Sequence, residues 1–159
     1  TITHKGTEED IGYSQSIYGT KIIDSMEEKI HEWKFKINYQ YSKPNIYIGI
    51  DDQEHENQCI ETCFGDQYES NNYSISSDGF MRRNGVLMQH STKSYETGDQ
   101  VTMILNLYDK SLSYQINESE MDVMFERVGT GDDIKYKACV HLYVKDESVT
   151  LISYQCRYE

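Results

Sequence analysis

Three side chains able to bind a soft metal recur every four residues: His55, Cys59 and Cys63. On a helix that spacing puts all three on one face, and an imidazole with two thiolates is a donor set that zinc accepts. Structural zinc takes four ligands in paired short spacings, and no fourth follows nearby. The reading is therefore no metal and no cofactor. Asp51-Asp52 and Asp132-Asp133 could serve calcium alongside backbone carbonyls, but the spaced ligand pattern of a dedicated loop is missing, so both pairs read as solvated loop tips. Gly129-Thr130-Gly131-Asp132 resembles part of a phosphate loop without its Lys-Ser/Thr ending and reads as a turn. Nucleophilic catalysis needs a Cys or Ser with a base and an orienting group. Five His are available as bases, yet no nucleophile elbow is present, and the chain reads as no enzyme. Arg82-Arg83 is either a solvated pair or a contact for a carboxylate on a partner.

Composition narrows the partners further. The chain has 159 residues and a formal charge of -12 from 27 acidic against 15 basic side chains. That length suits one domain with its own core. An isoelectric point near 4.8 sets the whole-protein field against phosphate backbones and anionic lipid, which argues against nucleic acid and membrane surface. No apolar run approaches the roughly 20 residues of a spanning helix. Four cysteines, Cys59, Cys63, Cys139 and Cys156, are too sparse for a disulfide framework. They read as reduced thiols in an intracellular, cytoplasmic setting. The sequons Asn72-Tyr73-Ser74 and Asn117-Glu118-Ser119 would matter only in a secretory one. Without a starting Met the chain reads as a monomeric piece of something longer. Fourteen Tyr beside one Pro suit a β-rich protein with adhesive loops.

The elements that must position these residues have a period of two. Trp33, Phe35 and Ile37 share one face of a strand, with Glu32, Lys34 and Lys36 on the other, so Trp33 is expected in the core rather than at a binding hot spot. Tyr47-Ile48-Gly49-Ile50 follows after a turn at Ser42-Lys43-Pro44-Asn45. Val101, Met103, Leu105 and Leu107 alternate with Thr102, Ile104 and Asn106, and Leu112, Tyr114 and Ile116 with Ser113 and Gln115, and the connection at Tyr108-Asp109-Lys110-Ser111 makes a hairpin of the two runs. Cys139 to Val144 and Val149 to Tyr154, joined by Lys145-Asp146-Glu147-Ser148, read as a second hairpin with a polar tip. Asp24 to Lys29 could start one helical turn that does not continue. Many short strands with turns between them predict a sandwich or barrel.

The longest stretch without strand pattern is residues 51–72. Loops beyond about 12 to 15 residues are uncommon in compact domains and are usually functional or disordered. This one holds seven carboxylates and no Lys or Arg, more than half of the net charge of -12.

Five pieces, in order, resemble the SPRY family of β-sandwich modules. They are Trp33-Lys34-Phe35-Lys36-Ile37, Ile48-Gly49-Ile50, and Tyr73-Ser74-Ile75-Ser76-Ser77-Asp78-Gly79. The fourth is Gly98-Asp99-Gln100-Val101-Thr102 running into Leu105-Asn106-Leu107-Tyr108 and Leu112-Ser113-Tyr114-Gln115-Ile116-Asn117. The fifth is Val140-His141-Leu142-Tyr143 with Ser148-Val149-Thr150-Leu151. Together they cover most of residues 17–155. Glu118 stands where the family usually has Gly, so the turn after Asn117 is expected to differ. The resemblance implies an all-β, two-sheet antiparallel sandwich of the concanavalin-like jelly-roll type with few or no helices. Residues 17–159 would form a single SPRY-like domain, with 1–16 an N-terminal extension or edge strand.

The resemblance also implies a non-enzymatic module that binds a peptide or protein surface, often the recognition part of a ubiquitin ligase or regulatory protein. In several relatives the ligand sits on loops at one end of the sandwich. Carried onto this chain, these are residues 51–72 and the hairpin tip from Tyr143 to Glu147. Tyr68 is the first aromatic anchor expected there, with Tyr143 and Lys145 from the tip and Tyr73 as a further contributor. Tyr73 and Tyr143 flank strands, so core packing competes with that role. Asp51, Asp52, Glu54, Glu56, Glu61, Asp66 and Glu69 would steer a basic partner. Two alternatives stand beside this reading: a lectin-like carbohydrate-binding sandwich, and an architectural domain of a large multidomain protein.

Overall fold

The structure, a computed structural model, describes residues 1–3, 15–42, 46–52, 71–84, 86–91, 93–130 and 133–159. Every regular element among them is a strand, and the strands form two antiparallel sheets. One sheet runs in the order β1 (Ile2–Thr3), β13 (Ser148–Arg157), β4 (Ile30–Tyr39), β9 (Gln100–Asn106), β10 (Ser111–Ile116), β11 (Asp122–Glu126). The other runs β2 (Gln15–Tyr18), β12 (Lys135–Leu142), β5 (Ile46–Asp51), β6 (Tyr73–Ser76), β7 (Phe80–Arg83), β8 (Val86–His90), with β3 (Ile23–Asp24) paired to the start of β12.

The inward residues are those the alternation selects. Trp33, Phe35 and Ile37 of β4 are at most 3% exposed, and Val101, Met103 and Leu105 of β9 are fully buried. They meet Ile46, Ile48 and Ile50 of β5 across the sandwich in one core. Two tyrosines hold buried backbone together. Tyr114 Oη donates to the Ile48 carbonyl at 3.0 Å, and Tyr95 Oη donates to the carbonyls of Ile46 and Ile75, each at 2.9 Å. Burial pushes both phenols well above their ordinary pKa. They therefore act as neutral donors to buried carbonyls, and the Ile46 carbonyl accepts Ser77 N–H at 2.8 Å as well.

Gly49 explains the Ile48-Gly49-Ile50 pattern. A Cβ there would lie 1.9 Å from the Tyr73 carbonyl oxygen and 2.8 Å from Ser74 Cα, so only glycine lets β5 and β6 approach this closely. The turn at Gly98-Asp99 is also built as its residues suggest. Gly98 has φ +96°, and Asp99 accepts from the Glu96 N–H and the Asn117 side-chain amide, both at 2.8 Å. Asn117 takes the left-handed conformation at φ 52° and caps Gln100 N–H at 2.9 Å. The expected hairpin of β9 and β10 is present, with Leu112 opposite Leu105 and Ile116 opposite Val101. In place of a helical turn after Asp24, its carboxylate receives Met26 N–H at 2.9 Å and closes a local side-chain turn.

The expected second hairpin is overturned, and Asp51, read as a solvated loop tip, is the buried last residue of β5. The strands on either side of residues 143–147 are not a hairpin: β12 pairs with β2, β3 and β5, whereas β13 pairs with β1 and β4 in the opposite sheet. The connection is a corner that carries the chain across the sandwich. Its Glu147, read as part of a polar tip, is fully buried.

Candidate functional site

The two segments expected to share one end of the sandwich begin at opposite ends of β5. Leu142 pairs with Ile46, placing the corner beside the start of that strand, whereas Lys137 pairs with Asp51 at its finish. Five residues of strand at about 3.4 Å each separate the two by about 17 Å.

At the Ile46 end, the corner is organised by one carboxylate. Glu147 Oε2 accepts the N–H groups of Tyr143 and Val144 at 3.0 Å each, and Oε1 accepts Tyr41 N–H at 3.2 Å. Asp146 turns the chain with φ 71°. Tyr143 is half-buried, stacked on Tyr47 with centroids 5.8 Å apart and edge-on to His141 at 5.0 Å. Burial is the main cause that raises the Tyr47 phenol pKa, partly opposed by Arg82, whose guanidinium lies 5.8 Å over its ring. Lys145 is exposed. Tyr39 and Tyr41, which the sequence reading did not single out, are 43% and 70% exposed here. Beside them Gln40, Tyr41, Ser42, Glu96 and Thr97 line a recess of about 210 Å³.

At the Asp51 end the chemistry is polar. Asp51 is 1% exposed and faces the Tyr18 hydroxyl, 3.5 Å from Oδ2. Asp52 accepts both the backbone N–H and the side-chain amide of Asn71 at 2.8 Å, closing the base of the segment between them. Asn72 N–H donates to Asn84 Oδ1 at 3.1 Å, and Asn84 N–H returns to the Asn72 carbonyl at 2.9 Å. Tyr73 is 2% exposed, edge-on to Phe125 at 5.4 Å, with Arg83 5.4 Å over its ring.

Comparison with solved structures gives this arrangement a family resemblance. The SPRY domain of human HERC1 matches with a TM-score of 0.70 at 18% identity, covering 88% of this chain and 82% of that one. The fold is that of a SPRY domain. The TRIM65 PSpry domain matches at 0.59 and 13% identity, covering 87% of this chain and 70% of that one. The carbohydrate-binding module CBM66 from Bacillus subtilis matches at 0.53 and 5% identity, over 92% and 83% of the two chains. Neither a family model nor a curated protein matches the sequence.

Within this SPRY fold the expected site residues separate. Tyr73 and Asp51 are buried, and a side chain with that little surface is not available as a first contact for a partner. Asp51 and Asp52 turn to different protein donors instead of converging on a cation. Tyr143 and Lys145 are at the Ile46 end, away from Asp52. Glu54, Asp66 and Tyr68, together with His55, Cys59 and Cys63, lie outside the described residues. Among the described residues no three His, Cys, Asp or Glu side chains are grouped to hold a metal. The signal for Tyr41 was in the sequence: Tyr39 and Tyr41 continue the odd-numbered series of Trp33, Phe35 and Ile37 past its last buried member, Ile37.

Proposed function

We propose that this domain is a non-enzymatic protein-interaction module that takes a segment of a partner protein at the Ile46 end of the sandwich. The observation that carries the reading is the corner. One buried carboxylate fixes the backbones of Tyr41 and Tyr143 side by side, with Lys145 at the rim. Tyrosines held on a rigid frame are the residue type on which binding energy concentrates. The HERC1 and TRIM65 likeness supports a module of the SPRY type. The acidic stretch 51–72, which starts at the far end of β5, attracts a basic partner and sets association rate more than contact strength. An intracellular setting belongs to the same reading, supported by the sparseness of the four cysteines in the sequence.

The test is selection of a displayed random-peptide library on the domain and on Tyr41→Ala/Tyr143→Ala. The expected result is enrichment of sequences carrying Lys or Arg by the parent domain, lost in the double variant while its melting temperature holds. Enrichment that survives the double variant unchanged would overturn the reading. The likeness to CBM66 keeps a sugar ligand testable: a glycan array, run with and without calcium, should be blank, and saturable binding to any glycan would favour a lectin-like sandwich.

A further inference from the structure

The sequence allows Arg82-Arg83 to be a solvated pair or a contact for a partner's carboxylate, and the structure gives its two members different places. Met81 of β7 is 3% exposed and belongs to the core, so Arg82, its neighbour, stands on the outer face of the second sheet. Ser74 is opposite Arg82 in the ladder of β6 with β7, and Gly49 is opposite Ser74 in that of β5 with β6, so all three share this face. Arg82 crosses β6 to bring its guanidinium 5.8 Å from the centre of the Tyr47 ring on β5. Arg83 takes the other face, over Tyr73, whose ring is 2% exposed and packed edge-on to Phe125.

Two polar atoms along this crossing are unmet. Arg82 Nε and Ser74 Oγ are both buried without a hydrogen-bond partner among the described residues, and Ser74 is fully buried. A buried donor left unpaired is a standing cost that an accepting ligand removes. Arg82 also forms no ion pair among the described residues, whereas Arg157 is held by Glu32 at 3.1 Å and Lys93 by Asp122 at 3.3 Å. Asp78, the carboxylate whose field reaches Tyr47, is engaged by the Ser76 hydroxyl at 2.5 Å. A half-buried guanidinium without a carboxylate, in a chain with 27 acidic side chains, leaves its charge for an outside group.

The ring under that guanidinium leads to the tyrosine corner, because Tyr47 stacks on Tyr143 with centroids 5.8 Å apart. The net charge of -12 weighs against a segment rich in carboxylates. What fits is a basic segment carrying one carboxylate. Its Lys and Arg answer the field of the whole chain, and its carboxylate answers Arg82 in the planar, paired geometry that a guanidinium favours.

We propose that Arg82 and the Ser74 hydroxyl form a carboxylate-binding site next to the tyrosine corner, which receives one Asp, Glu or chain-terminal carboxylate of an otherwise basic partner segment. The site rests on the proposed function for the arrival of that segment, and it fixes the segment's register.

Two random-peptide libraries test it, one displayed with a free C-terminus and one with the C-terminus joined to its carrier, each selected on the whole domain and on Arg82→Gln. The parent should enrich basic sequences with Asp or Glu at one fixed position in both libraries, or sequences ending at a fixed residue in the free one alone, which tells a side chain from a chain end. Replacing that carboxylate by its amide in the best synthetic peptide should weaken binding to the parent by about tenfold or more, and to Arg82→Gln by less than about twofold. Ser74→Ala should narrow the advantage of acid over amide by about threefold. Arg82→Lys, which keeps the charge but not the planar fork, should retain part of that advantage and serves if Arg82→Gln fails to fold. The acid peptide, and not the amide, should shift the Arg82 Nε–H resonance. The proposal falls if the enriched basic sequences carry no fixed carboxylate, if acid and amide bind the parent alike, or if Arg82→Gln weakens both equally, since Arg82 would then only pack on Tyr47. The tyrosine corner fails separately: binding that survives Tyr41→Ala/Tyr143→Ala with the acid still ahead of the amide overturns the corner and leaves Arg82 standing. Enrichment of no sequence at all overturns both.

Discussion

The two ends of β5 are each closed by a carboxylate, and they differ in what the carboxylate is for. At the Ile46 end Glu147 is fully buried and spends its oxygens on backbone donors from two separate connections. At the Asp51 end Asp52 is half-buried and closes onto one residue, Asn71, through two hydrogen bonds. The first arrangement fixes the path of the chain between sheets. The second only shuts the neck of a long insertion. A carboxylate's role is thus set by how many backbone donors surround it and how little water reaches it, and the acidic count of a segment says neither.

The largest expected effect tests whether the ends fold together. Gly49→Val places side-chain carbon on the Tyr73 carbonyl, in the strand that joins the two ends. It should destabilise by about 4 kcal/mol or more and abolish a cooperative melt, since overpacking against backbone has no rotamer escape. A variant that melts normally would show that the approach of β5 to β6 relaxes easily.

Glu147→Ala comes next. It leaves the three N–H groups of Tyr41, Tyr143 and Val144 without their acceptor and should cost about 3 kcal/mol. Asp52→Ala should cost only about 1 kcal/mol, because water can replace the bonds to Asn71. Thermal melts of both variants decide the comparison, and equal losses would break it.

Acid should act at the Asp51 end, where β4 begins. His31 is buried there, its Nδ1 2.9 Å from the Tyr154 hydroxyl. Desolvation is the leading cause that lowers its pKa from the ordinary 6.5, partly opposed by Glu27 and assisted by Lys21 and Lys29. The unfolded chain therefore binds a proton at a pH where the folded one does not. This contribution is fully present above the unfolded value and is lost as pH falls below it toward the folded value. Melting temperatures between pH 7 and 5, a window around the ordinary pKa, should fall more steeply for the parent than for His31→Gln. Parallel curves would show that His31 does not report on this end.

The smallest effect on stability is expected from reversing Glu54, Glu56, Glu61, Asp66 and Glu69 to Lys. Melting should change by less than about 0.5 kcal/mol, while association with a basic peptide slows and loses its salt dependence. Unchanged association would remove the electrostatic part of the proposed function.

Much of the sandwich is legible in the sequence, because alternation reports which face of a strand meets the core. Trp33, Phe35 and Ile37 declare themselves this way, as do Val101, Met103 and Leu105. Turn chemistry fixes Gly98-Asp99 and Asn117, where few residue types satisfy the backbone. Alternation cannot report which sheet a strand joins. The runs around Val140 and Val149 look the same whether they pair with each other or face each other across the core, and the group that decides is Glu147, whose burial no local pattern reveals. Position along a strand was the other blind spot. The family resemblance put residues 51–72 and the tip at 143–147 on one surface, and the register of β5 against β12 shows that the two segments begin at opposite ends of β5. β8 was unreadable for a simpler reason: with both faces exposed, nothing in its order of apolar and polar residues needs to alternate.

The corner at Glu147 also has a consequence for kinetics. The backbone of Tyr41 and Tyr143 has already lost its freedom during folding, so a ligand arriving there does not have to order it. Immobilising one mobile side chain at an interface costs about 0.5 to 1.5 kcal/mol, and a frame set in advance spares part of that cost. Complexes made there should form without a slow rearrangement, and differences in affinity between partners should show in how long they stay.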